Sequence, residues 1–489
     1  MLAHDNHVRH ANGFGMSAMS KELSNIASAT SVGDETRTRE LLETMARSLG
    51  IERALANQAS FSGSGSLPSI FPVSDFAAAA VGAAGLAVAD FVSAAFGVHP
   101  HVAVDRRLAS LWFGFSIRPI DWNLPDPWDP IAGDYETADG WIRLHTNAPH
   151  HRAAALSVLG VAPDKPQVAA AVRRWKAEPL ETAIVGNGGC AAAMLSHAQW
   201  QTHPQGEAVI REPLIDARAT SDVAKPPNLL TPRRPLQGVR VLDLTRVLAG
   251  PVATRFLAGL GADVLRIDPP GWDEPVLAPD VTLGKRCARL DLRTPDDRTR
   301  FLELLRQADI LVHGYRADAL HNLGLDARLR RETRPGLVDV CLDAYGWTGP
   351  WRHRRGFDSL VQMSVGIADA GMRTLERDRP TPLPVQALDH ATGYLMAAAA
   401  VKGLKERLET GRGFEARTSL ARVAQLLVGA PVAGTLGNLG SADEGDWFGS
   451  VEVSDFGRTH RLRSPVTLAG EPLRWDRPAV KLGSSPPAW

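Results

Sequence analysis

From residue 236 onward, runs of consecutive apolar residues alternate with segments whose apolar positions recur every three or four residues. The runs at 239–244, 263–267, 310–313 and 337–342 predict buried strands, and 288–292 reads as strand-like. Segments 248–260, 295–306 and 317–323 predict helices, with Thr294 as a cap and Pro295 at the first helical position. Strand–helix alternation at this spacing predicts an α/β fold built on an open parallel sheet with right-handed crossovers.

The pattern before residue 224 is different. Residues 1–34 are polar and small, and 36–55 carry helical spacing through Leu41, Leu42, Met45, Leu49 and Ile51. Ser60 to Ser66 reads as a flexible link. A long Ala-rich helix is expected from Asp75. A hairpin around an Asp139-Gly140 turn spans 133–144, followed by helices at 153–159 and 167–177, which predicts a smaller α+β unit. Four prolines between Ala224 and Pro235 deny that stretch a helix and mark the main boundary. The expected organisation is a leader and helical segment (1–70), a first unit (71–223), a proline-rich linker (224–235) and a second unit (236–489). A weak internal repeat joins the two units. When Asp75 is aligned with Asp389 without gaps, Ala77, Ala83, Ala84 and Gly97 match Ala391, Ala397, Ala398 and Gly411.

Composition narrows the class. The 489 residues carry 54 Lys+Arg and 54 Asp+Glu, a formal net charge of zero, which argues against a polyanion or nucleic-acid partner. A length of 489 sets a prior of about three compact units. Cys190, Cys287 and Cys341 form no CxxC pair, so neither a disulfide framework nor a zinc cage is expected, and a reducing, cytoplasmic setting fits. The first thirty residues hold no apolar core of a signal peptide. The apolar stretch 76–98 contains Asp90 and many small residues, so a buried helix is expected rather than a membrane span.

In an open parallel sheet, ligands bind beyond the carboxyl ends of the strands. The first such end runs Asp243-Leu244-Thr245-Arg246-Val247-Leu248-Ala249-Gly250-Pro251. Its single glycine argues against a dinucleotide cradle, yet a helix N-terminus here can receive an anion beside Arg246. Gly284-Lys285-Arg286 is either a solvated strand edge or a phosphate contact. Tyr315 can stack on a base and Arg316 can hold a phosphate. Asp389 opens a long helix, as a cap or as an exposed carboxylate nucleophile. No GxSxG elbow and no HExxH motif is present, and no metal is expected.

Several stretches in order resemble the class III CoA-transferase family. They are Pro235 to Thr245, Ala249-Gly250-Pro251, Leu260 to Val264, Gly284-Lys285-Arg286 through Leu292, Ala308 to Val312, Tyr345-Gly346, Thr348-Gly349-Pro350, Arg355-Gly356-Phe357-Asp358 and Asp389 to Gly393. The resemblance implies a Rossmann-like CoA-binding domain, with coenzyme A as the carrier. It also implies an Asp that attacks an acyl-CoA thioester, with a carboxylic acid as the acceptor. It maps the nucleophile to Asp389 and CoA contacts to Arg246, Val247, Leu248, Ala249, Lys285, Tyr315 and Arg355. Phe357-Asp358 stands where the related racemases carry His-Asp, which favours transfer over racemisation. The alternatives are a CoA-ester racemase or isomerase, or a catalytically weak CoA-binding protein. Segments resembling the family's small domain and return segment lie before the CoA-binding half. The resemblance thus implies two fused, trimmed copies, with Asp75 a structural cap. Such a chain either forms the family's homodimer or completes its own ring.

Overall fold

The computed structural model describes residues 35–223, 230–315, 318–430 and 437–489. Arg316 and the first half of the proline-rich stretch, 224–229, lie outside the described residues. The centre is a seven-stranded sheet of β1 (Asp216–Val223), β2 (Arg240–Leu244), β3 (Asp263–Asp268), β4 (Lys285–Arg289), β5 (Ile310–His313), β6 (Val338–Asp343) and β7 (Arg412–Ser419). Their order is β4-β3-β2-β5-β6-β7-β1. Every neighbouring pair is parallel except β1 with β7. Val241, Leu242, Val264, Leu265, Leu311 and Val312 are all buried, so helices and loops cover both faces, as a parallel sheet requires. The expected α/β architecture is therefore present.

β4 begins earlier than expected. Its ladder runs from Lys285 opposite Val264 to Arg289 opposite Asp268. The apolar pattern missed this start because Lys285 is a charged residue satisfied inside the protein. The stretch read as a flexible link also departs from expectation: Ser60–Ser62 pairs as a parallel strand with Val102–Asp105.

Four helices set the site. They are α1 (Val73–Phe96), α2 (Ala249–Gly259), α3 (Asp358–Ser364) and α4 (Ala387–Thr410). α1 is apolar enough to cross a membrane by composition, but 89% of its most apolar window is buried in the fold. It packs along α4, which in turn packs on α2. At that second crossing a Cβ on Gly393 would lie 2.4 Å from the Ala249 carbonyl oxygen and 2.9 Å from Val252 Cβ. The glycine lets the two backbones approach.

The repeat extends beyond sequence. α1 and α4 each have 24 residues, and the residues preceding them, Pro72 and Gln386, share φ −77 with ψ 61 and 63. Each helix ends in a left-handed glycine, Gly97 or Gly411. A strand follows each, then a helix capped by Asp105 or Ser419. Each strand has a parallel partner on one side and an antiparallel one on the other: Ser60–Ser62 and Val466–Leu468 for the first, β6 and β1 for the second.

The smaller α+β unit joins Gly133–Glu136, Trp141–Leu144 and Ala191–Ala193 into an antiparallel sheet beside helices Pro149–Leu159, Lys165–Val172 and Ala177–Gly186. Its own core holds Tyr135, Ile142, Leu144, Leu180 and Ile184. It docks on the second half of the chain through polar anchors. Arg354 donates to Glu181 and to the Ala191 carbonyl, both at 2.7 Å. Gln205 donates to the carbonyls of Tyr345 at 2.8 Å and Thr348 at 2.9 Å.

Candidate active site

The loop from β2 to α2 is strained. Val247 has φ 64, a left-handed conformation that a β-branched residue adopts only under constraint. The constraint is Glu274, whose Oε1 accepts from the Val247 N–H at 2.6 Å and from Trp272 Nε1 at 2.9 Å. Its Oε2 accepts from Arg266 at 2.7 Å. Arg246 is consequently held between two rings. Its guanidinium carbon lies 4.9 Å from the Trp272 ring centre and 5.2 Å from that of Tyr315, and it donates to the Tyr315 hydroxyl at 3.2 Å. Arg246 and Tyr315 are thus brought together at the strand ends as expected, with Val247, Leu248 and Ala249 beside them. Trp272 and Glu274 carried no motif; their place follows only from the turn after β3.

Lys285 needs correction. It is fully buried, and its Nζ donates to Asp243 Oδ2 at 3.0 Å, Thr254 Oγ1 at 2.6 Å and the Pro251 carbonyl at 3.0 Å. All three ammonium protons have protein acceptors, so it is neither a phosphate contact nor a solvated edge residue. It ties the end of β2 to the first turn of α2.

Asp389 is the third residue of α4 rather than its cap. The Asp358 carboxylate does the capping. Its Oδ2 accepts the Asp389 N–H at 2.9 Å, and its Oδ1 accepts from the Gln362 amide at 2.5 Å. Among the described residues, none donates to the Asp389 carboxyl. Burial, and then the Asp358 charge, hold that carboxyl well above the usual carboxylate range. Asp358 is itself raised to about 6 by burial, against the lowering effect of Gln362 and the N–H groups of Asp389 and Leu388. Gly393, one turn along α4, seats this helix start against Ala249, so the carboxyl and the strained loop share one end of the sheet.

The third wall comes from the first half of the chain. Arg355 is exposed and donates to the Gly188 carbonyl at 3.2 Å. The charges of Arg355 and Arg246 reach His150, reinforcing the effect of burial in lowering its pKa. Phe357, next to Asp358, meets His145 and His151. The motif Arg355 to Asp358 was legible in sequence; the role of Asp358 and the approach of two histidines from more than two hundred positions away were not.

Residues 236–479 match the family model described as CoA-transferase family III. An acyl-CoA transferase of Gibberella moniliformis is 29% identical over 58% of this chain and 54% of its own length. The succinyl-CoA:glutarate CoA-transferase of Mus musculus is 32% identical, over 37% of this chain and 44% of its own. The crystal structure of a CAIB/BAIF family protein from Brucella suis is 27% identical, covers 40% of this chain and 55% of that one, and has a TM-score of 0.35. The chain spans about half the length of the curated relatives it matches.

Proposed function

We propose that this chain, whose residues 236–479 belong to CoA-transferase family III, moves CoA from an acyl-CoA to a carboxylic acid with Asp389 as the nucleophile. The observation that carries this reading is the pair of buried carboxyls at the start of α4. Asp358 takes the Asp389 N–H, and among the described residues nothing donates to the Asp389 carboxyl, which becomes a nucleophile once its proton has left.

After the Asp389 carboxyl has given its proton to solvent, one of its oxygens attacks the acyl carbon, the C–S bond breaks, and CoA leaves as thiolate. The thiolate then attacks the Asp389 carbonyl, releasing the first acid and leaving an aspartyl thioester. The acceptor carboxylate attacks that thioester, expelling the thiolate and leaving an anhydride. Return of the thiolate to the new acyl carbon yields the new thioester and restores Asp389. Each step exchanges one acyl bond for another, so no oxidant or net proton is required. Arg246, held between Trp272 and Tyr315, and Arg355 supply cationic and stacking contacts suited to a phosphorylated, adenine-bearing carrier. Lys285 acts indirectly, by holding the loop.

The repeated helix, cap and strand geometry supports a fused origin. The first copy keeps its Asp helix and small unit and lends β1 to the sheet, whose other six strands belong to the second. The small unit of the first packs on Phe357 of the second, beside Asp358, so one chain brings both copies to one site. The deciding assay is transfer of labelled acyl groups across a panel of acyl-CoAs and acids. Asp389→Ala is expected to abolish it; undiminished transfer by that variant sinks the reading.

A further inference from the structure

The turn after β3 carries a carboxylate that the transfer chemistry leaves unused. Glu274 is buried, and its Oε2 accepts from Arg266 at 2.7 Å. Arg266 is fully buried and is also held by both oxygens of Asp268, at 2.9 and 3.0 Å. It stands in the ladder between Asp243 of β2 and Cys287 of β4. Glu274 is therefore tied to the interior of the sheet, which lets it hold what it touches. Its Oε1 accepts from two donors, the Val247 N–H at 2.6 Å and Trp272 Nε1 at 2.9 Å. One oxygen thus fixes both a residue of the β2–α2 loop and a ring beside it.

That loop has fixed feet and a strained middle. Thr245 is the first foot, its N–H donating to Asp243 Oδ1 at 2.8 Å. Gly250 is the second, where a Cβ would lie 2.2 Å from Thr245 Cγ2. Between them Val247 sits at φ 64. A valine leaves that region unless its surroundings hold it there. Rotation about that φ turns the peptide plane joining Val247 to Arg246, so relaxation carries Arg246 out from between Trp272 and Tyr315. The position matters because Arg246 is an uncommitted cation. Among the described residues its one acceptor is the Tyr315 hydroxyl, and no carboxylate pairs with it. Lys285 and Arg266, by contrast, face buried carboxylates.

We infer that Glu274 is a positioning residue that sets the preference for a nucleotide-bearing carrier. It holds Val247 in the left-handed conformation and so keeps Arg246 at the strand ends, free to meet the phosphorylated half of CoA. Glu274 touches no reacting atom, so its loss weakens binding of CoA and its esters and leaves thioesters without the nucleotide as they were. This rests on the transferase reading and deepens it.

The test titrates the full chain with CoA and with pantetheine in a calorimeter. Glu274→Ala is expected to weaken CoA about tenfold and leave pantetheine unchanged. Glu274→Gln should recover most of the loss, because one carbonyl oxygen can accept from both Val247 and Trp272 as Oε1 does. Val247→Gly separates positioning from support of the fold, since glycine takes a positive φ without strain. In that background Glu274→Ala should weaken CoA only about twofold, a coupling read from the double-mutant cycle. If Glu274→Ala does not fold, Glu274→Asp enters the same cycle, keeping a carboxylate for Arg266 on a shorter side chain. In turnover the KM for the acyl-CoA donor should rise while kcat and the KM for the acid hold. An equal loss of CoA affinity in both backgrounds overturns the inference. So does an equal loss for CoA and pantetheine, or a Glu274→Gln chain no better than Glu274→Ala. A chain whose CoA affinity follows this cycle yet transfers nothing loses the transferase reading alone. Transfer with a CoA affinity indifferent to Glu274 overturns the positioning inference alone.

Discussion

Asp75 and Asp389 each stand third in a helix of 24 residues entered through almost the same backbone angles. Their carboxyls meet different surroundings. Asp75 Oδ1 accepts from Thr38 at 2.8 Å and from Arg106 at 3.0 Å, and Arg37 lies 3.8 Å from Oδ2. Segment 437–446 packs on the loop before that helix and on Arg107. Asn438 accepts from the Ser66 N–H at 3.0 Å, and Arg107 pairs with Asp446 at 2.8 Å. Asp389 has a second carboxylate, Asp358, beside it instead of an arginine. Nearly equal backbone geometry thus gives a carboxylate beside arginines in one place and a carboxyl with no described donor in the other. What separates them is the charge each neighbour brings, arginines beside Asp75 and a second carboxylate beside Asp389.

The sharpest way to break this contrast is to truncate both residues. Asp389→Ala is expected to cost transfer on the order of a thousandfold or more. Asp75→Ala is expected to spare the chemistry and cost about 3 kcal/mol of stability, because the buried Arg106 loses the carboxylate it faces. Chemical denaturation with parallel activity assays separates the two. The raised pKa of Asp389 also predicts a pH dependence. The folded chain holds a proton on Asp389 that the unfolded chain releases above about pH 4, so this carboxyl increasingly destabilises the fold as pH rises toward its raised pKa. Asp389→Asn should therefore raise Tm, more at about pH 8 than at about pH 5.

Lys285→Met tests whether the lysine serves the loop or a ligand. A loss of about 3 kcal/mol, from leaving Asp243 buried without its cation, is expected in the absence of CoA. Gly393→Ala should be smaller, about 1–3 kcal/mol, as the methyl forces α4 from α2. A fall in kcat out of proportion to that loss would locate the strain at Asp389. The gentlest change is Asp358→Asn. It keeps an acceptor for the Asp389 N–H and removes the charge that raises Asp389. The acid limb of the pH–rate profile should move down by roughly one unit.

Much of the architecture was written locally. The period of apolar residues marked the strands and helices of the parallel sheet, and Thr294 does accept the Asp297 N–H as a cap should. The ordered motifs pointed to one family and singled out Asp389, Arg246 and Tyr315. The errors share a cause. Lys285 looked like an edge cation because its acceptors sit on β2 and α2, far along the chain. Ser60–Ser62 looked flexible because its ladder partner begins at Val102. Asp389 looked like a cap because Asp358, which does the capping, belongs to another helix.

Backbone sterics and the periodicity of burial act over a few residues, so the sequence alone determined the elements, their alternation and the repeated pair of Asp helices. Charge state, hydrogen-bond completion and access depend on groups brought within a few ångströms by packing. Only the tertiary structure could decide which Asp pairs with arginine, which lysine turned inward, and which histidines came to pack on Phe357.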